Sequence, residues 1–140
     1  MQNEKTIKIY CDGGARGNPG PAASAFVVFT KDKEVLHTEA KTLGTSTNNV
    51  AEYTAVLLSL EWLEKNETVA KTEDFYLDSL LVVNQLNGLF KIKNTTLLEI
   101  ARRIKTKISV FPGTITFQHI RREKNTHADS LVNRALDELS

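Results

Sequence analysis

The sequence predicts an α/β fold, a five-stranded mixed sheet flanked by helices on both faces, formed by a single domain over residues 1–140. Two observations lead to this prediction. Near the N-terminus, apolar and polar residues alternate with a period of two, which is typical of strands with two distinct faces. From residue 50 onward, apolar residues recur every three or four positions, and short apolar strands separate these helical segments. The order βββαβααβα indicates a mixed sheet covered by helices.

The first three elements are predicted to form an antiparallel meander. Ile7, Ile9 and Cys11 alternate with polar residues, and Gly13-Gly14 is expected to end this first strand. A turn rich in glycine and proline follows, and a polar turn joins the next two strands. The three predicted strands cover residues 7–12, 23–30 and 35–43.

The rest of the chain is predicted to be mainly helical. Apolar stripes at helical spacing predict four helices, and two short apolar stretches predict the remaining strands. The helices cover residues 50–64, 80–86, 97–108 and 127–139, and the strands cover residues 74–77 and 114–120. Trp62 is expected in the core or on a helix surface rather than as a base-stacking platform, and His127 on the surface of a first helical turn.

Composition narrows the class of protein. The apolar fraction of 41% and the charged fraction of 25% are ordinary for a soluble globular domain. No apolar run approaches the length of a membrane span, and the first residues do not resemble a signal peptide. The single cysteine, Cys11, excludes an internal disulfide and a cysteine-rich zinc site. We therefore expect a cytoplasmic protein without membrane association.

Four acidic residues stand at predicted strand ends or helix starts, where their side chains would face one cleft. Carboxylates repel one another, so such a cluster is costly unless a multivalent cation neutralises it. Hard cations such as Mg²⁺ prefer oxygen ligands, and two metals held by carboxylates are a common means of cleaving phosphodiesters. The four residues are Asp12, Glu52, Asp78 and Asp129.

Structural roles compete with this interpretation. Asn49 to Glu52 and Thr126 to Asp129 both have capping-box spacing, so either acid could serve its own helix start. The aspartates after the first and fourth strands could equally cap a turn. A carboxylate near a helix N-terminus is also stabilised by the helix dipole, so capping and metal binding are compatible.

Basic residues are concentrated in the second half of the chain. Six lysines and arginines lie between Lys91 and Lys107, where Glu99 alone opposes them, and a second group follows at residues 121–124. Such patches could bind phosphates, or they could form a solvated helix face.

Four segments, in order, resemble the motifs of type 1 ribonuclease H, in the shorter form common among archaeal and many bacterial members. Together they extend over nearly the whole chain, so the resemblance is specific. The segments are Asp12-Gly13-Gly14 with Asn18-Pro19-Gly20-Pro21-Ala22, Thr47-Asn48-Asn49-Val50-Ala51-Glu52-Tyr53, Asp78-Ser79 with residues 81–88, and Arg122-Glu123 with Asn125, Ala128-Asp129, Leu131 and Asn133.

The resemblance implies a ribonuclease H-like fold and a metal-dependent endonuclease. Asp12, Glu52, Asp78 and Asp129 match catalytic carboxylates that hold two Mg²⁺ ions, with Mn²⁺ as a possible substitute. The implied reaction is hydrolysis of the RNA strand of an RNA–DNA hybrid to 5′-phosphate and 3′-hydroxyl ends. The implied state is a monomer without an obligate protein partner. Residues at the family's substrate-binding positions are Gly13, Gly14, Asn18, Thr47, Asn48 and Asn49.

The sequence departs from the family pattern in three places. Leu80 replaces a usual glutamine, and the span from Asp78 to Asp129 is too short for an additional basic protrusion. The auxiliary residue near the metals is either His119 or Arg122, depending on the alignment of the loop after the last strand, and Arg122 is favoured. Two alternatives remain for function, namely a catalytically weak hybrid-binding module and a nuclease that also cleaves double-stranded RNA.

Overall fold

The computed structural model describes residues 6–66 and 72–139, which form one five-stranded sheet and four α-helices. The strands are β1 (Thr6–Ala15), β2 (Gly20–Thr30), β3 (Val35–Ser46), β4 (Thr72–Leu77) and β5 (Thr114–His119). The helices are α1 (Asn48–Lys65), α2 (Leu80–Leu86), α3 (Thr95–Val110) and α4 (Thr126–Asp137). A short 3₁₀ turn, Arg122–Lys124, lies between β5 and α4. None of the helices in these two ranges combines the length and the apolar character needed to cross a membrane.

The sheet has the order β3-β2-β1-β4-β5 and is mixed, as the sequence predicts. β1 pairs antiparallel with β2, and β2 with β3, which confirms the predicted meander. β1 and β4 pair in parallel, as do β4 and β5. The central position of β1 and its parallel neighbour β4 determines where the candidate site lies.

Helices cover both faces of the sheet. The larger core lies between the sheet and helices α1 and α3, where Ile9, Phe26, Phe75 and Ile104 are fully buried. On the opposite face, Val132 and Leu136 of α4 pack on small alanines of β2. The small side chains of β2 let α4 approach β1 closely, so its first turn reaches the edge where Asp12 lies.

The prediction that Gly13-Gly14 ends the first strand is wrong, because β1 continues to Ala15 and pairs there with Ala22. Gly13 is instead required by helix packing. A Cβ atom at Gly13 would lie 2.2 Å from the backbone carbon of Ala51 in α1. Across the β1–β2 pair, the buried Ser24 hydroxyl donates to the Ala51 carbonyl oxygen at 2.5 Å. This close approach fixes the start of α1 against the sheet.

The proposed capping boxes are not formed. Thr47 caps α1, and its Oγ1 accepts from the Val50 amide at 3.2 Å, so Glu52 lies one turn inside the helix. Asn125 precedes α4 without a side-chain capping bond, and Asp129 is the fourth helical residue. Both acids are thus free of the capping role that their spacing indicated.

Two of the basic residues between Lys91 and Lys107 are paired with acids, so less positive charge is free for phosphates than the sequence indicates. Lys107 of α3 pairs with Glu64 of α1 at 3.0 Å, and Arg103 lies 3.8 Å from Glu61. Packing of α1 beside α3 therefore supplies acids that a linear count of charges omits. Trp62 is a half-buried helix residue, as expected, and its ring stacks on His37 with a centroid distance of 4.9 Å.

Replacement of Gly13 by alanine tests the close approach of β1 and α1. We expect Gly13→Ala to lower the free energy of unfolding by about 3 kcal/mol, because the new methyl group overlaps backbone atoms that cannot move aside. Gly14→Ala is the matched control, since its Cβ would meet nothing nearer than 3.7 Å. Denaturant unfolding of the two variants measures the difference. Equal stability of both variants would contradict the packing role.

Candidate active site

Two carboxylates lie at the same end of the central parallel strands. The β1–β4 register pairs Tyr10 with Tyr76, so Asp12 and Asp78, each two residues further on, emerge side by side. Asp78 directly follows β4, as predicted, whereas Asp12 lies within β1 and pairs with Ala25 of β2. The carboxyl ends of parallel strands are the usual ligand-binding edge of an α/β sheet.

Glu52 reaches this edge from α1. The contact of Gly13 with Ala51 places the neighbouring residue of the helix over the end of β1. Ser79, which follows Asp78, acts on the Glu52 carboxyl group in the direction that lowers its pKa. The position of Glu52 thus follows from the backbone contact between β1 and α1.

Asp129 arrives from the opposite face of the sheet, on the first turn of α4. Asn125, buried just before this helix, donates from Nδ2 to the Cys11 carbonyl oxygen at 2.9 Å and to Asp78 Oδ2 at 3.3 Å. Asn133 donates to the Asp129 carboxylate at 3.3 Å from one turn further along. Asn125 therefore ties the start of α4 both to β1 and to a carboxylate.

The four carboxylates border one cleft of about 390 Å³, here called the carboxylate cleft. The predicted residues Asp12, Glu52, Asp78 and Asp129 thus converge, although they come from β1, α1, the loop after β4, and α4. The other polar residues of its wall are Arg16, Asn48, Asn49, Arg122 and Asn133.

Burial and mutual repulsion oppose ionisation in this cleft. Burial raises the pKa of Asp12 to about 8, and the charges of Asp78 and Asp129 add to this effect. The pKa of Glu52 is also raised to about 8, first by burial and then by Asp12 and Asp78, while Arg122 acts in the opposite direction. Two carboxyl groups are therefore held largely protonated near neutral pH.

The chemistry of this donor set fits divalent metal ions. The donors are hard carboxylate oxygens, and a cation among them would offset the repulsion that raises the pKa of Asp12 and Glu52. Within residues 6–66 and 72–139, no three acidic, histidine or cysteine side chains are close enough together to form a preformed metal site. The carboxylates share a cleft and one electrostatic environment, and cation binding would require them to draw together.

The residues expected to bind substrate fall into two groups. Gly14, Asn48 and Asn49 line the carboxylate cleft. Asn18 and Thr47 bond to backbone instead, because Asn18 Oδ1 accepts from the Asn48 amide at 3.0 Å and Thr47 caps α1.

Asn48 links these groups, since its Oδ1 accepts from the Ala15 amide at 2.8 Å. Gly13 also lines the cleft, but its lack of a side chain is required for the approach of α1. The turn after β1 and the start of α1 are therefore one hydrogen-bonded unit.

The two auxiliary candidates lie in different places. Arg122 borders the carboxylate cleft from the 3₁₀ turn, and its charge acts on Glu52. His119 is exposed at the end of β5, paired in register with Leu77, and does not line the cleft. Leu80 is about half exposed at the start of α2, beside the loop that bears Asp78.

Sequence reasoning missed the importance of Asn125 and Ser24. Asn125 is 1% exposed and bonds to an acidic residue, and Ser24 is fully buried beneath α1. The available signal for Asn125 was its position immediately before a helix whose first turn carries Asp129. Ser24 gave none, because its partner is a carbonyl oxygen distant in sequence.

Comparison with known proteins agrees with this fold. The family described as reverse transcriptase-like matches residues 10–135. The ribonuclease H1 of Halobacterium salinarum superposes with a TM-score of 0.88 at 33% identity, over 95% of this chain and 98% of that one. LC11-RNase H1, isolated from compost by a metagenomic approach and solved with an RNA/DNA hybrid, gives 0.91 at 42% identity, over 96% and 99% of the two chains.

The chain belongs to the type 1 ribonuclease H family. This family consists of hydrolytic endoribonucleases, and the fold predicted from the motifs is confirmed. Bifunctional protein Rv2228c of Mycobacterium tuberculosis is 40% identical over 133 residues, which are 94% of this chain and 35% of the relative. The chain thus spans about a third of the length of that relative.

The raised pKa values predict how stability depends on pH. An unfolded carboxyl group has a pKa of about 4, so between about pH 4 and pH 8 the folded protein holds protons that the unfolded chain has lost. The free energy of unfolding of the metal-free protein should therefore fall as pH rises through this window. We expect Tm to drop by about 5 °C or more, and Asp12→Asn to reduce the drop.

Glu73 provides the control for this measurement. It is buried in β4 outside the carboxylate cleft, and burial raises its pKa to about 8 as well. Glu73→Gln should remove only its own part of the pH dependence and leave the part that Asp12→Asn removes. Thermal unfolding at several pH values measures both. If Asp12→Asn leaves the dependence of Tm on pH unchanged, the raised pKa assigned to Asp12 is refuted.

Proposed function

We propose that this chain hydrolyses the RNA strand of RNA–DNA hybrids by a two-metal-ion mechanism and leaves 5′-phosphate and 3′-hydroxyl ends. The convergence of four carboxylates from four separate elements on one cleft is the observation that supports this function most strongly. Membership of the ribonuclease H family and the similarity to a relative solved with an RNA/DNA hybrid favour the same substrate. Because the chain matches only 35% of the length of its relative Rv2228c, the proposal concerns this domain and not the activity of that longer protein.

Asp12, Glu52, Asp78 and Asp129 would hold the two ions, with Mg²⁺ as the expected metal and Mn²⁺ as a substitute. Bound metal would activate the attacking water and stabilise the departing oxygen. The chain's own contribution is to keep the four oxygen donors at one edge of the sheet. Asn125 orients Asp78 at 3.3 Å, and Asn133 orients Asp129 at the same distance.

The hybrid would lie across the turn after β1 and the start of α1. Gly14, Asn48 and Asn49 line the cleft and can contact the sugar-phosphate backbones. The bond from Asn48 Oδ1 to the Ala15 amide makes this surface rigid before substrate arrives. Contacts with 2′-hydroxyl groups across a shallow minor groove would select RNA without selecting a base sequence.

Cleavage of matched duplexes tests the function. We expect metal-dependent cutting of the RNA strand in an RNA–DNA hybrid, and no cutting of RNA–RNA or DNA–DNA duplexes of the same sequence. Equal cutting of double-stranded RNA would favour the broader nuclease. Tight binding of the hybrid without cutting in either Mg²⁺ or Mn²⁺ would favour the hybrid-binding module and refute the proposal.

Asp12→Asn should lower the rate of hybrid cleavage by about a thousandfold, because loss of a shared ligand removes several kcal/mol of transition-state stabilisation. The fold should persist, since the substitution replaces a buried carboxyl group whose pKa is raised to about 8 by a neutral amide of nearly the same shape. Single-turnover cleavage and circular dichroism measure the two effects. A folded Asp12→Asn protein with the normal rate would refute the two-metal assignment.

Arg122→Gln and His119→Gln separate the auxiliary candidates. We expect Arg122→Gln to lower kcat by about tenfold or more, because Arg122 borders the cleft and its charge favours ionisation of Glu52. His119→Gln should have little effect, since His119 lies outside the cleft. Steady-state kinetics on one hybrid compares them. The reverse order of effects would contradict the assignment of Arg122 and favour His119 as the auxiliary residue.

A further inference from the structure

A second cleft, of about 280 Å³, lies on the same face of the sheet as Asp12. We call it the lysine-aromatic cleft, and the residues of its wall that matter here are Lys8, Tyr10, Phe29, Lys33, Lys124 and His127. It adjoins the carboxylate cleft, because Tyr10 precedes Asp12 by two residues on β1 and Asn125 lines it while donating to Asp78. The proposed cleavage reaction uses none of these six side chains.

Aromatic rings form a row along this part of the sheet. Tyr10 stacks on Tyr76 with a centroid distance of 4.9 Å and an interplanar angle of 23°. The Phe29 ring stands edge-on to Tyr10 at 5.3 Å, and His127 lies 6.1 Å from Phe29. Tyr10, Phe29 and Tyr76 are all only partly buried, although each lies in a strand of the sheet. Such rings offer faces or edges against which a planar base can pack.

The charge of this cleft is positive. Lys8, Lys33 and Lys124 belong to its wall, and among residues 6–66 and 72–139 no aspartate or glutamate does. An acid of the sheet, Asp74, is the cross-strand partner of Lys8, and its Oδ1 accepts from the Thr116 hydroxyl at 2.9 Å. A cleft that combines aromatic rings with lysines complements a ligand that has both planar bases and phosphates.

We propose that the lysine-aromatic cleft binds unpaired nucleotides of single-stranded nucleic acid, with bases packed on Tyr10 and Phe29 and phosphates near Lys8 and Lys33. The occupant is the single-stranded extension next to a hybrid, so this inference rests on the proposed function. Tyr10 lies two positions before Asp12 on β1, a distance of about 7 Å along the strand, so one nucleic-acid strand can reach both clefts. The aromatic row favours nucleic acid over an acidic peptide, which would use the lysines alone.

Base stacking is tested with two labelled strands of equal length, one normal and one abasic, in metal-free buffer. The wild-type protein should bind the normal strand about tenfold more tightly, because stacking on an aromatic ring is worth this much per base. Tyr10→Leu should weaken that preference, because Phe29 alone then remains to stack, while the apolar leucine side chain preserves packing on the sheet. Equal binding of both strands by the wild type, or an unchanged preference in Tyr10→Leu, would overturn the proposal.

A double lysine variant tests the phosphate contacts and does not depend on the folding of Tyr10→Leu. Lys8→Gln/Lys33→Asn should reduce the slope of log affinity against log salt by about 1.4 for the single strand. Asparagine suits position 33, where φ is 68°. The matched control is Lys41→Gln/Lys65→Gln, which removes the same charge from exposed sites outside the cleft. An equal loss in the control would overturn the proposal.

Cleavage of a flush-ended hybrid in Mg²⁺ separates this inference from the proposed function. We expect these variants to cleave it at the wild-type rate, because none of the substituted residues borders the carboxylate cleft. If neither the wild type nor any variant cleaves the hybrid, the proposed function fails. The binding of single strands alone then decides the role of the lysine-aromatic cleft. If flush hybrids are cleaved but single strands bind without base preference, only the inference drawn here fails.

Discussion

Electrostatic repulsion among four carboxylates is the constraint on which the rest of this structure depends. The fold brings Asp12, Glu52, Asp78 and Asp129 to one cleft, and burial together with repulsion raises the pKa of Asp12 and Glu52 to about 8. Such a cluster weakens the folded protein at neutral pH. It is therefore a cost that the scaffold must offset elsewhere, and an electrostatic environment that favours divalent cations.

The scaffold offsets this cost through backbone contacts that are specific to the cleft. Gly13 allows α1 to touch β1, and the Ser24 hydroxyl bonds the Ala51 carbonyl oxygen from the neighbouring strand. Asn125 joins the start of α4 to β1 and to Asp78. Each contact positions an element that bears a carboxylate, rather than adding to the apolar core. The residues that organise the site are thus small or uncharged, and the acids depend on them.

Local patterns predicted much of the fold. The period-two alternation gave the strands of the meander, and the apolar stripe followed by Asn87-Gly88 gave both ends of α2. Contacts between distant segments account for the errors. Gly13 resembles a strand end because the helix that requires it lies far away in sequence, and the acids that pair with Arg103 and Lys107 belong to α1. The motifs identified the four acids. The sequence did not decide whether Arg122 or His119 lies beside them, because the loop after the last strand could be aligned in two ways, and the structure places Arg122 in the cleft.

The most direct test of this account is the number of protons released when the protein binds Mg²⁺. Calorimetric titration near pH 7, repeated in two buffers with different ionisation enthalpies, measures that number. We expect the release of about one to two protons, because Asp12 and Glu52 hold protons at this pH and must ionise to bind a cation. Asp12→Asn should release fewer. Binding without proton release, or release that Asp12→Asn leaves unchanged, would contradict the claim that these carboxylates form the metal site.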